Sequence, residues 1–186
     1  MASLSYHEQE VIDNTKRLRN MMKELPPFCA DFFRGIEPRT SSRTRLAYAY
    51  DLKIFFEFLE KQNPALAGMK TCDIPLSILD DIQLMDIEEY MEFLKCYSTD
   101  QNEDRVNTER GIMRKISSLK SFYNYFFRRE RIKTNPASLI ELPKIHEKEI
   151  VRLDVDEVAS FLDQVEEGEN LTEKQKAYHA KTKVRD

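Results

Sequence analysis

Apolar residues recur at steps of three and four along most of the chain, which predicts an all-α fold. Val11, Leu18, Met21, Met22 and Leu25 mark a helix over 5–24, stopped by Pro26-Pro27. A short helix over 28–35 would carry Phe28, Phe32 and Phe33 and end at Gly35. Thr40, Ser41 and Ser42 offer N-cap hydroxyls to a helix over 42–62. Its stripe is Tyr48, Leu52, Phe55 or Phe56, and Leu59, and Asn63-Pro64 closes it. Residues 64–84 are less regular. A helix from Asp86 to Tyr97 follows, with Asp86 and Glu89 in capping-box spacing and Ile87, Tyr90, Met91 and Leu94 inside. "STDQNEDRVN" reads as a polar linker.

A long helix over 104–130 comes next, and the spacing predicts that Asn135-Pro136 ends it. Residues 138–152 read as extended. Asp154-x-x-Glu157 opens a helix over 155–167, with Val158, Phe161 and Leu162 inside and Gly168 at its end, and Thr172 can cap one more.

The long helix has two faces. Ile112, Ile116, Leu119, Tyr123 and Phe126 step by four and three, with Phe122 widening the stripe, and must bury against other helices. About 200° around lie Arg110, Arg114, Ser117, Ser121, Asn124 and Arg128, a stripe without a carboxylate, flanked by Lys115 and Lys120. Cations neutralise phosphates, and small polar side chains let a helix approach a duplex and bond phosphate oxygens or base edges. A plain solvated face is the competing reading, although such faces usually mix signs.

Charge sharpens the choice. The net charge of −4 alone argues against nucleic acid. Residues 105–133, however, hold nine basic and two acidic residues, and residues 73–104 hold ten acids and only Lys95. Clustering matters more than the net value for a phosphate footprint. A second basic cluster, Arg34, Arg39, Arg43 and Arg45, surrounds the start of the 42–62 helix, where Thr44 and the free amides make a phosphate site or simply a helix cap. Arg45 and Lys53 share a face through Ala49.

Other chemistry is thin. Cys29, Cys72 and Cys96 form no zinc or disulfide pattern and read as reduced thiols of a cytoplasmic protein. His7, His146 and His179 have no metal-spaced partner, and Asp73, Asp80 and Asp81 lack calcium-loop spacing, so no metal or other cofactor is expected. The aromatics Tyr48, Phe55, Phe56, Phe58, Tyr123, Phe126 and Phe127 fall mostly at core spacing. No apolar run approaches membrane-spanning length, and no nucleophile–base pair or Walker loop is visible.

"FCADFFRGIEPRTSSRTRLAYAYDLKIFFEFL" resembles the opening of the SAM-like, core-binding domain of phage-integrase-type tyrosine recombinases, through Phe28, Phe32, Thr44, Tyr48, Asp51, Leu52, Phe55, Phe58 and Leu59. "RKISSLKSFYNYFFRRERIKTNPASLIELPK" resembles that family's later helix, Asn-Pro turn and Pro-Lys linker, through Arg114, Ile116, Ser117, Leu119, Lys120, Phe122, Tyr123, Asn135, Pro136, Ala137, Pro143 and Lys144. "RLDVDEVASFL" looks like the first helix of its catalytic domain. The resemblance covers about residues 28–186.

It implies a SAM-like helical bundle over 27–140, preceded by a helical extension over 1–26. A linker over 141–152 and the beginning of a catalytic domain over 153–186 would follow. It also implies a C-shaped clamp on a double-stranded DNA core site, contact with other recombinase protomers, and strand exchange through a 3′-phosphotyrosine without metal or ATP. The family's catalytic arginines, lysine, histidine-type residues and tyrosine have no match here. Arg185 precedes the T-G-x-R motif, and Tyr178 is not the nucleophile. The expectation is therefore a DNA-binding region that does not itself cleave. The DNA-contacting set would be Arg43, Thr44, Arg45, Lys53, Arg110, Arg114, Lys115, Ser117, Lys120, Ser121 and Asn124. The alternative is a helical interaction module that joins subunits without touching DNA.

Overall fold

The computed structural model describes residues 4–66, 68–98, 103–142, 152, 154–167 and 172–182. The chain forms two compact units, 1–145 and 146–186. The first unit holds α1 (Tyr6–Met21), α2 (Cys29–Ile36), α3 (Ser42–Gln62), α4 (Ile78–Asp81), α5 (Leu84–Lys95) and α6 (Glu109–Phe127). A short antiparallel pair, β1 (Cys96–Ser98) and β2 (Asp104–Val106), sits between α5 and α6. Four short 3-10 segments, Glu37–Arg39, Pro64–Leu66, Thr71–Asp73 and Pro136–Leu139, fill the connections.

Caps set most boundaries. Ser5 and Glu8 close a capping box on α1, the Ser41 hydroxyl accepts from the Thr44 amide at 3.1 Å, and the Thr108 hydroxyl accepts from the Gly111 amide at 3.3 Å. Each satisfies an amide that the first helical turn leaves unpaired, worth about 1 kcal/mol. The acidic helix begins earlier than its Asp-x-x-Glu spacing suggested. Gln83 is its cap and Asp86 is the third helical residue, whose carboxylate accepts from the Gln83 amide at 2.7 Å.

Two further expectations give way. Part of the supposed polar linker is the β1–β2 pair, with Cys96 opposite Val106 and Ser98 opposite Asp104. The long helix ends at Phe127, before Asn135-Pro136. Its chain reverses through Glu130 at φ 53°, where the Glu130 amide donates to Phe127 O at 3.0 Å and the Arg131 amide to Phe126 O at 3.1 Å. That is a Schellman closure built without glycine. Asn135-Pro136 instead starts the last 3-10 turn, the Asn135 side chain accepting from the Ser138 amide.

The core is aromatic where α2, α3 and α6 meet. Phe28, Phe32, Phe56, Phe122 and Phe126 are all buried, and the Phe122 ring meets Phe32 and Phe126 edge-on with centroids 5.1 Å apart. Such pairs add about 0.5–1.5 kcal/mol beyond the area they bury. A second cluster, Phe58, Tyr90 and Phe93, joins α3 to α5. α1 lies along α3 and buries Leu18. Phe127 departs from its expected core place and is exposed.

The second unit contains α7 (Val155–Glu167) and α8 (Glu173–Thr182). The Glu157 carboxylate accepts from the Asp154 amide at 2.9 Å, as the capping spacing predicts, and Thr172 bonds Gln175 at the start of α8. Val158, Phe161 and Leu162, expected inside, are exposed. Gly168, Arg185 and most of the expected extended linker lie outside the described residues. Among the described residues no helix is long and apolar enough to cross a membrane, and no cluster of metal-ligating side chains is present.

Candidate nucleic-acid interface

α6 separates its two stripes as its periodicity requires. Ile112, Ile116, Leu119, Phe122, Tyr123 and Phe126 are buried, whereas Arg110, Arg114, Ser117, Asn124 and Arg128 are exposed and Ser121 is partly so. The outward stripe runs beside the 3-10 turn that ends in Arg39 and Thr40, and the two form an open groove of about 700 Å³. Its cations are Arg39, Lys120, Arg128 and Arg129, and its described lining contains no carboxylate. Arg39 and Arg128 form no ion pair among the described residues.

The groove walls are held in place. Tyr125 forms part of the lining, and the Arg129 guanidinium lies 3.8 Å from the centre of its ring while also donating to Tyr125 O at 3.4 Å. A cation over an aromatic face is favoured electrostatically. Lys120 Nζ donates to Ile140 O at 2.8 Å, which ties the helix to the chain leaving the unit. Asn124 Oδ1 accepts from Asn135 Nδ2 at 2.9 Å, fixing the orientation of that amide. Asp80 takes the Lys133 and Thr134 amides at 2.5 and 3.2 Å, which pins the loop beneath.

The sequence-predicted residues divide into two sets. Ser117, Lys120, Ser121 and Asn124 line the groove. Arg110 is exposed at the far end of the same stripe. Arg43 is exposed, 4.0 Å from Glu10. Thr44 is partly buried, its hydroxyl 2.9 Å from that of Ser41, so the start of α3 is already capped from within.

The others are committed to internal partners. Arg45 is 8% exposed and pairs with the Glu37 carboxylate at 3.1 Å and its carbonyl at 3.3 Å. Lys53 bonds Glu24 and pairs with Glu57 at 3.6 Å, and the bond to Glu24 raises its ammonium above the usual lysine range. Lys115 is 7% exposed and donates to Asn107 Oδ1 at 2.7 Å. Burial lowers its pKa below the ordinary lysine value, against the pull of Asp51. Arg114 stays on the surface but grips the buried Asp51 with both terminal nitrogens, at 2.6 and 2.7 Å. Burial raises the Asp51 carboxyl, and the Arg114 and Lys115 charges pull it back.

Spacing could have marked two of these. Lys115 stands three residues after Ile112 and four before Leu119, and Arg45 four before Ala49, so both fall on buried stripes. Tyr125 and Arg129 were not among the expected contacts, and Arg39 was expected beside the start of α3, not in a groove with α6. Only the fold brings the turn after α2 against the end of α6.

Comparison with known proteins agrees with this architecture. The model of the phage integrase SAM-like domain matches residues 24–142. A tyrosine recombinase XerC of Caldanaerobacter subterraneus subsp. tengcongensis is 30% identical over 153 residues, covering 77% of this chain and 41% of that protein. A tyrosine recombinase XerC of Leptospira interrogans is 32% identical, covering 74% of this chain and 37% of its own length. A tyrosine recombinase of Thermosipho africanus is 32% identical, covering 73% and 41%. This chain thus spans about two fifths of the length of the curated relatives it matches. No solved structure matches it. A match that takes in α2 through the last 3-10 turn, and so both walls of the basic groove, identifies the chain as a member of the phage integrase SAM-like family.

Proposed function

We propose that this chain is the DNA-binding part of a site-specific tyrosine recombinase, and that the groove between Arg39 and α6 follows a phosphate backbone. The observation that carries the reading is the groove's charge. Four cations face it with no described carboxylate among them, in a chain whose net charge is −4. Ser117, Ser121 and Asn124 supply short hydrogen-bonding groups between the cations, a combination suited to phosphate oxygens and base edges. The names of the matching relatives support strand exchange as the process served.

On this reading residues 27–140 form one arm of a clamp, 141–152 a linker and 153–186 the start of a second domain, while α1 extends the first arm. Arg45 and Lys115 drop out of the contact set because both are buried. Strand cleavage falls to residues other than those of this chain. Titration of a labelled duplex with the chain tests the reading. Log affinity should fall linearly with log salt, with a slope of about −0.9 per phosphate neutralised. The duplex should remain uncut. An affinity indifferent to salt, or no binding at all, would sink it.

Assembly with other protomers has its own support. α5 turns Glu88, Glu89 and Glu92 to solvent and the C-terminal end of α1 turns out Lys16, Arg17 and Arg19, so two copies offer each other patches of opposite sign. Sedimentation of the chain with and without duplex distinguishes the cases. A DNA-independent oligomer favours the interaction module, and a monomer that assembles only on DNA favours the clamp.

A further inference from the structure

Asp51 places a carboxylate where only 1% of its side chain meets solvent, and the DNA reading so far gives it no task. Both its oxygens are taken by Arg114, Nη1 to Oδ2 at 2.6 Å and Nη2 to Oδ1 at 2.7 Å. This fork-on-fork geometry fixes direction as well as distance. The pair joins α3 to α6. Beside it, Lys115 is drawn aside to Asn107, whose own amide donates to Leu94 O at 2.7 Å. Arg114 nevertheless keeps 49% of its side chain exposed, on the outward stripe between Arg110 and Ser117. A guanidinium carries more N–H donors than one carboxylate accepts, so donors remain for a second anion.

We infer that Asp51 is a positioning residue for DNA: it holds the Arg114 fork in place, so that the guanidinium meets a phosphate already oriented. The inference rests on the DNA reading above. An unclamped arginine gives up rotamer freedom each time it binds, whereas a clamped one gave it up on folding. The carboxylate also carries a charge that repels phosphate, and this separates the two pictures. If Asp51 acts only through its charge, removing it strengthens DNA binding. If it positions Arg114, removing it weakens binding.

The test measures fluorescence anisotropy of a labelled mixed-sequence duplex at one salt concentration, with the full chain and circular dichroism to check each fold. Asp51→Asn and Arg114→Lys should each bind about five- to tenfold more weakly than the parent. On an Arg114→Ala background, Asp51→Asn should cause no further loss. A folded Asp51→Asn protein that binds as tightly as the parent, or more tightly, overturns the inference. Should that variant not fold, Arg114→Lys decides, because it keeps the cation at a half-exposed site and loses only the fork; parental affinity there overturns the inference equally. Loss of binding by the parent chain itself would remove the DNA reading, and this inference with it, whereas an unaffected Asp51→Asn removes the inference alone.

Discussion

Gly35 on α2 backs directly onto the Tyr125 ring of α6. A β-carbon added at Gly35 would stand 2.8 Å from both Cζ and the hydroxyl oxygen of Tyr125, closer than any side chain tolerates. The absence of a side chain there lets α2 approach α6, and Tyr125 in turn carries Arg129 on its face in the groove wall. Gly35→Ala should therefore act twice. Overpacking should cost about 1–3 kcal/mol, and the displaced ring should release Arg129 and weaken duplex binding. Thermal unfolding and a DNA titration of the same variant check both effects, and Tyr125→Leu in the Gly35→Ala background should restore stability without restoring affinity.

Lys115 is a basic residue that DNA should not feel. Its ammonium is buried beside Asn107, so Lys115→Met should leave the slope of log affinity against log salt unchanged. The stability change should stay within about 1–2 kcal/mol, because methionine fills a similar volume. The pH dependence has a definite sign. Burial lowers the folded-state pKa of Lys115 below its unfolded value, so between the two the unfolded chain binds more protons. The parent should therefore gain stability relative to Lys115→Met as pH rises from neutral toward about 10. Denaturant melts of both proteins across that range measure the difference.

Much of this fold is legible in local spacing, because helices bury one stripe and expose another. The stripe from Ile112 to Phe126 and its opposite from Arg110 to Arg128 divide as the 3.6-residue period requires. The β1–β2 pair escaped notice since each strand is three residues long, too short for a period of two to register. It is held by its antiparallel pairing and by Asn107 reaching Leu94 O, neither of which spacing records. Asp86 misled because Asp-x-x-Glu and Gln-x-x-Asp overlap by one turn, and the structure uses the second. In the site, the failures are long-range. Asp51 and Arg114 are 63 residues apart, and nothing local says that a carboxylate of one helix will claim a cation of another.

Glu130 offers a substitution that should improve the protein. It holds φ 53° at the end of α6, a conformation that costs a residue with a β-carbon about 1–2 kcal/mol and glycine almost nothing. Part of that gain is lost to the greater freedom of glycine in the unfolded chain, leaving a net stabilisation of about 0.5–1 kcal/mol for Glu130→Gly. The same change removes a carboxylate next to Arg128 and Arg129, so duplex affinity should rise. Glu130→Ala separates the two effects, since it loses the charge and keeps the strain. It should bind DNA as well as the glycine variant and melt no higher than the parent.

Ser121 gives the most direct test of the groove itself. It stands four residues after Ser117 and three before Asn124, in a lining whose charges are all positive among the described residues. Ser121→Glu puts a carboxylate among Arg39, Lys120 and Arg128. The fold should accept it, because Ser121 is only partly buried and the new charge has cations to pair with. A phosphate would then meet both repulsion and a groove already neutralised, and duplex affinity should fall by more than about tenfold. Ser121→Ala, which loses only a hydroxyl, should cost about threefold or less. Net charge is controlled by Ser77→Glu, an equal change at an exposed position outside the groove lining. If Ser77→Glu weakens binding as much as Ser121→Glu, DNA responds to the overall charge of the protein and the groove has no special place. If only Ser121→Glu does so, the contact lies along α6.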